Sequence, residues 1–375
     1  MSAPSSTPPR PTRRTRIVCI GDTHNGTVKL PKGDVLIHAG DLTNQGSYSE
    51  LSKAVQWLEK ADFEAKIVIA GNHDITLDGD FYSRHGSSFH NQNPQDPAKC
   101  LSLFTSSRTI TYLQQSSATI RLTHPEGPGT EFTVFGSPYS PEYGTCAFTY
   151  PRPEQEAEAS EPDSTAVAAG PSAAELWAAV PLTTDIVVTH TPAYTHCDDT
   201  YGCKDLRTRL AAVRPRLHVC GHVHQSRGAE RVRWDTGGLS AGDQAATEIS
   251  VEPWEDPSPD PTSAKISLVD LTARGRKRAL DFYDPGPAPP GVQTGCEPAD
   301  PAPGPESSDI VVGSGDPSGR DGDPCPGQPD HPVDRAGRRE TCVVNCAIVA
   351  SGWPHPGGKR FNKPIVVDID LPVWR

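Results

Sequence analysis

The chain has 375 residues, of which only 35% are hydrophobic, and it carries 39 Pro and 33 Gly. Globular domains run at about 45–50% apolar, so part of this length lacks the side chains to build a core. The formal net charge of −12 argues against a nucleic-acid scaffold, which needs a basic face, and no run approaches the ~20 apolar residues of a membrane span.

In chain order, residues 1–15 are Pro-rich and hold Arg10, Arg13 and Arg14, which reads as a solvated, disordered arm. The first sixteen residues have no apolar stretch of the secretory kind, so a soluble, cytoplasmic protein is expected. The folded domain is expected to begin at Arg16. Its strands read as Ile17–Ile20, Val35–Ala39, Ile67–Ala70, Phe132–Phe135, Ile186–Thr189 and Leu217–Cys220. Several are short unbroken apolar runs, as in strands buried on both faces. Leu51, Ala54, Val55 and Leu58 fall at helical spacing within Tyr48–Lys60. Leu206, Leu210 and Val213 do so within Lys204–Val213, and Pro215 lies just beyond. Strands alternating with helices predict an α/β domain with a largely parallel sheet.

Two stretches break the pattern. Residues 151–171, rich in Ala, Glu and Pro, read as a flexible acidic insertion. Residues 253–332 hold 17 Pro and 10 Gly, above the ~25–30% that marks disorder. Within them Ile266, Leu268 and Leu271 suggest at most a transient strand. Apolar patterning returns at Thr341–Ala350 and Ile365–Leu371. The expected organisation is therefore one domain, 16–252 completed by strands in 339–375, interrupted by a disordered insertion at 253–338. None of the ten cysteines forms a Cys-x-x-Cys pair, and buried free thiols are expected in a reducing compartment.

The chemistry gathers where the strands end. Gly21-Asp22-Thr23-His24, Gly40-Asp41, Gly71-Asn72-His73-Asp74 and Gly221-His222-Val223-His224 each follow an apolar run, and His190 closes a fifth. Functional groups collect at the carboxyl ends of strands in parallel α/β sheets. A single strand-end Asp or His is read as a turn or cap residue; five in succession point to a metal site. Asp22, His24, Asp41, Asn72, His190, His222 and His224 offer imidazole, carboxylate and amide oxygen without thiolate, which suits Mn, Fe or Zn. Seven donors are too many for one ion and divide between two, about 3.5–4 Å apart, with a bridging carboxylate.

These blocks, in this order, resemble the signature of the calcineurin-like metallophosphoesterases: Asp-x-His, Gly-Asp, Gly-Asn-His-Asp/Glu, a lone His, then Gly-His-x-His. The resemblance implies a four-layer α/β/β/α sandwich and hydrolysis of a phosphoric ester by hydroxide held between two metal ions. It implies that Asp22, His24, Asp41 and His224 hold the first ion. Asp41, Asn72, His190 and His222 would hold the second. It implies a proton-donating role for His73, oriented by Asp74, which suits an imidazole near neutral pKa. Protein Ser/Thr phosphatases continue their second block as Asp-x-x-Asp-Arg-Gly, whereas this chain reads Asp41-Leu42-Thr43-Asn44-Gln45-Gly46. The runs 34–41, 66–73 and 214–222 instead look like the metallophosphoesterase-domain-containing proteins. A small phosphodiester, such as a cyclic nucleotide, or a phosphomonoester is the substrate this implies. Phosphatase activity on proteins stays open if Arg84 or Arg227 replaces the missing arginine, and so does a non-catalytic interaction scaffold, although no ligand position is lost. A nuclease would want a basic groove. Of the other histidines, His38 reads as a core group and His196 as lining the cleft beside His190. Asn25 and Asn44 are candidates for phosphate contact, and Asn345 for the cleft wall.

Overall fold

The computed structural model describes residues 11–152, 171–236, 245–260, 262–272, 280, 338–351 and 355–374. All of them belong to one compact unit. Most of the expected insertion at 151–171, the bulk of that at 253–338 and residues 1–10 lie outside the described residues.

The described strands are β1 (Thr12–Ile20), β2 (Val35–Ala39), β3 (Ala65–Ile69), β4 (Ile110–Tyr112), β5 (Ser116–Arg121), β6 (Glu131–Ser137), β7 (Ser140–Pro141) and β8 (Thr149–Tyr150). They continue with β9 (Ile186–Thr189), β10 (Leu217–Cys220), β11 (Gly228–Asp235), β12 (Thr247–Pro253), β13 (Ser267–Asp270), β14 (Glu340–Asn345) and β15 (Ile365–Pro372). One sheet runs β13-β15-β1-β2-β3-β4 and the other β12-β11-β14-β10-β9-β6-β5. The strands that carry the motifs are parallel within each sheet: β1 to β2 to β3, and β9 to β10.

Period-two alternation explains why there are four layers. In β1, Ile17 and Cys19 join a core between the sheets with Ile37, Ile67, Val134, Val188 and Val219. Their neighbours Val18 and Ile20 face outward, onto Leu51, Val55 and Leu58 of the helix Tyr48–Lys60 and Phe104 of the helix Pro97–Thr105. On the far side, Phe135 and Val187 pack on Leu176 and Trp177 of Ala173–Ala178 and on Leu206 and Leu210 of Lys204–Val213. The result is an α/β/β/α sandwich. Helix Tyr48–Lys60 starts where Ser47 and Glu50 form a reciprocal capping box. Helix Lys204–Val213 stops at Arg214, which turns left-handed before Pro215.

Two expectations are corrected. The arm does not extend to residue 15, because β1 begins at Thr12 and pairs with β15 from Thr12 to Cys19. Arg16 grips Asp368 with two 2.7 Å bonds, and buried Thr15 meets Thr130 at 2.7 Å, so these polar residues belong to the fold. Nor does the expected insertion begin at residue 253. Ser267–Asp270 forms β13, parallel to β15, with Val269 and Leu271 buried in the inter-sheet core. The Ile266–Leu271 stretch, expected at most as a transient strand, is ordered because β15 gives it a partner. Among the described residues no helix is long and apolar enough to cross a membrane.

Candidate metal centre

Each motif begins where a parallel strand ends, and the backbone there is strained. Asp22, His24, Asn25, Asp41 and His222 all have positive φ, between 44° and 68°. Non-glycine residues rarely adopt this region, at a cost of about 1–3 kcal/mol each, and such residues cluster at functional sites. The neighbouring glycines answer a different need. A Cβ at Gly71 would lie 2.3 Å from the Asp41 Oδ1, and one at Gly221 would lie 2.3 Å from the Asp22 Oδ2. Glycine here makes room for the carboxylates.

Main-chain bonds tie one motif to the next. The His222 amide donates to Asp22 Oδ1 at 2.9 Å, and the His73 amide donates to Asp41 Oδ1 at 2.8 Å. His190 Nδ1–H donates to the Ala39 carbonyl at 2.9 Å and so clamps the second sheet to the first. These bonds leave ring and carboxylate atoms converging. His224 Nε2 is 3.3 Å from Asp22 Oδ1, and His24 Nε2 is 3.4 Å from His224 Nε2. His24 Nε2 and His190 Nε2 lie 3.7 and 3.5 Å from Asp41 Oδ2, and His190 Nε2 is 2.8 Å from Asn72 Oδ1. The His222 ring meets His190 with centroids 4.9 Å apart. Thus donor atoms of Asp22, His24, Asp41, Asn72, His190 and His224 are linked by approaches of 3.7 Å or less, and the His222 ring packs beside them. Ligand atoms at about 2.0–2.2 Å from an ion sit roughly 3.0–3.6 Å from one another, and the pairs here span 2.8–3.7 Å.

Electrostatics gives the fit test. His24 Nδ1–H donates to the Thr43 carbonyl at 3.2 Å, so Nε2 of the neutral ring faces its neighbours as a bare lone pair. Burial pushes His24 down to about 4, and burial together with His190 pushes His222 down to about 4. Burial favours the neutral acid at Asp41, yet His190, His73 and His24 hold its carboxyl well below the usual range. Burial likewise opposes charge on His190, but Asp41 and Asp22 raise it to about 9. Buried lone pairs and carboxylates converging with too few protons form a cradle for cations. Three sets can converge on an ion: Asp22, His24 and His224; Asp22, Asp41 and His190; and His24, Asp41 and His73.

Other expected roles fall differently. Asp74 does not orient His73. Its buried carboxylate accepts from the amides of Leu42, Thr43 and Gly71 and from the Thr43 hydroxyl. These bonds tie the turn after β2 to the turn after β3. The exposed His73 ring is held instead by Nδ1–H donating to the Asn44 carbonyl at 3.0 Å. His196 is buried between Glu230 and Glu248 and does not line a cleft. Asn25 donates to Glu50 at 2.6 Å. Asn345 donates to the carbonyls of Cys197 and Val223, bracing the Gly221–His224 turn from beneath. His38 bonds the Thr23 hydroxyl, and its Nδ1 has no partner among the described residues. The eight described cysteines are free thiols. Sequence reasoning missed the braces, because carbonyl acceptors and folded-back loops leave no residue-type signature.

Comparison with known proteins agrees with this geometry. A 223-residue stretch is 40% identical to "Probable rhamnogalacturonate lyase C" of Emericella nidulans, covering 59% of this chain and 18% of that protein. A 236-residue stretch is 35% identical to the human "Metallophosphoesterase domain-containing protein 1", covering 59% of this chain and 64% of that one. The chain thus spans less than two thirds of either relative. "UPF0046 protein K07C11.7" of Caenorhabditis elegans is 35% identical over 234 residues, covering 60% of this chain and 68% of that protein. The family model described as "Calcineurin-like phosphoesterase" matches residues 15–226, from β1 through the Gly221–His224 turn, and the chain belongs to that family.

Proposed function

We propose that this chain is a di-metal phosphoesterase acting on a small phosphodiester, cyclic nucleotides included, or a phosphomonoester. The observation that carries this reading is the convergence of Asp, Asn and His side chains from both sheets, with Asp41 within 3.7 Å of both His24 and His190. Asp22, His24, Asp41 and His224 would hold one ion, and Asp41, Asn72, His190 and His222 the other, of Mn, Fe or Zn type. Bound ions would supply charge neutralisation and an activated water.

The chain's own groups supply orientation and a proton. The Asn44 carbonyl holds His73 Nδ1–H, so in the imidazolium form Nε2–H is the donor left to protonate a departing oxygen. His73 is exposed, as a group that must reach substrate has to be. Asp74 keeps the turns carrying Asp41 and His73 at fixed separation. The missing Asp-Arg-Gly after Asp41 favours small esters over phosphoproteins. His73→Ala should keep its metal and lose most turnover of bis-p-nitrophenyl phosphate, whereas Asp41→Ala should lose metal occupancy. Parental rates in both variants would refute the mechanism.

A further inference from the structure

The Asp-Arg-Gly arginine is absent after Asp41, and the structure narrows which other cation could face the phosphoryl group. Arg84 donates along its own helix to the Asp80 carbonyl. Arg227 donates to the Lys363 carbonyl at 2.8 Å and faces Asp256 at 3.7 Å. Both are engaged away from the seven donors.

Lys359 is placed differently. The connection between β14 and β15 folds along the first motif: the Ile348 amide donates to the Gly21 carbonyl at 3.0 Å, and Ala347 bridges Gly21. The connection doubles back on itself, with Ala350 bonded to Arg360 and Asn362 to Ile348. Phe361 then closes over Gly26, where any Cβ would lie 2.3 Å from its ring. This brings Lys359 Nζ within 2.8 Å of the His24 carbonyl. Lys359 is half-buried, and no carboxylate pairs with it among the described residues.

We propose that Lys359 binds a non-bridging phosphoryl oxygen of the substrate at the His24 rim, favouring esters of higher negative charge. This rests on the phosphoesterase reading above. One of its three N–H donors holds the His24 carbonyl and two remain. A partly desolvated cation without a counterion is stabilised by an arriving anion, and the carbonyl anchor fixes its position before substrate comes.

The test uses the full chain loaded with Mn²⁺, carrying Lys359→Met or Lys359→Arg. Substrates are p-nitrophenyl phosphate, a dianion, and bis-p-nitrophenyl phosphate, a monoanion. Loss of a charged hydrogen bond predicts that Lys359→Met raises KM for the monoester roughly 10–100-fold. KM for the diester should change far less, kcat and metal content should stay near parental, and Lys359→Arg should restore most of the loss. Equal effects on both esters, or metal loss from Lys359→Met, would show that Lys359 only braces the His24 turn and would overturn the proposal. Should the parent hold two ions yet cleave neither ester, the phosphoesterase reading fails. Calorimetry with inorganic phosphate then decides on Lys359: weaker binding by Lys359→Met supports its role, and equal binding refutes it.

Discussion

Gly71→Ala should expel metal without unfolding the protein. The added Cβ would lie 2.3 Å from Asp41 Oδ1, 2.4 Å from the Asp41 amide nitrogen and 2.7 Å from His190 Cε1. Real Cβ contacts start near 3.0 Å, so the carboxylate must withdraw by about 0.7 Å. Neither alternative yields easily: the second contact is backbone, and His190 is wholly buried and bonded to the Ala39 carbonyl. Metal sites tolerate about 0.2 Å in ligand distance, whereas overpacking a core costs only about 1–3 kcal/mol. Occupancy should therefore fail before the fold does. The assay is metal content per chain after desalting, alongside thermal unfolding with and without Mn²⁺. Gly79→Ala is the control: nothing lies within 4 Å of its new Cβ at the start of a helix. It should keep its metal and gain up to about 1 kcal/mol. A Gly71→Ala protein with parental metal content and turnover would refute the reasoning.

Asp74→Asn replaces one acceptor oxygen with a donor, leaving two of its four bonds facing N–H or O–H groups. At about 1.5–3 kcal/mol for each bond to a charged group, urea titration should show a loss of roughly 3–6 kcal/mol; a loss below 1 kcal/mol would remove Asp74 as the tie between turns. Asp368→Ala removes both bonds to Arg16 and should cost about 2 kcal/mol or more in the same measurement. His190, raised to about 9 in the metal-free fold, is held mainly by Asp41 against the pull of burial. Its attraction to Asp41 therefore stabilises fully below about pH 6.5 and is lost as pH rises through about 9. A metal ligand must be neutral, so Mn²⁺ binding at pH 7 should release a proton and tighten towards pH 9. Calorimetry in buffers of differing ionisation enthalpy reads this directly, and zero proton release at pH 7 would contradict it.

The motif-bearing strands were legible because burial on both faces writes an unbroken apolar run, as in Val35–Ala39, Ile186–Thr189 and Leu217–Cys220. The seven donors were legible because each follows such a run through a glycine. Exposed β12 was not, since its Glu248, Ser250 and Glu252 give no buried stripe. Polar Thr12–Thr15 read as an arm because strand pairing depends on the partner Ile369–Pro372, some 350 residues away. The role the resemblance implied for Asp74 differs because the turn sends the Asp74 and His73 side chains to different partners. Lys359 carried no motif at all; only the folded-back connection brings it to His24.

Residues 338–374 supply β14 to the interior of one sheet, between β10 and β11, and β15 to the interior of the other, between β13 and β1. Until they arrive, β1 has no neighbour on that side, and the partners of β10 and β11 remain unjoined. The β1 edge would wait open and apolar while more than three hundred residues are synthesised, and the β10 and β11 edges for about a hundred. The candidate ion site includes the turns after β1 and β10, beside those gaps. Metal uptake is thus expected to be the closing event of folding rather than its nucleus, and a chaperone that shields strand edges would serve this chain longest just before β15 inserts.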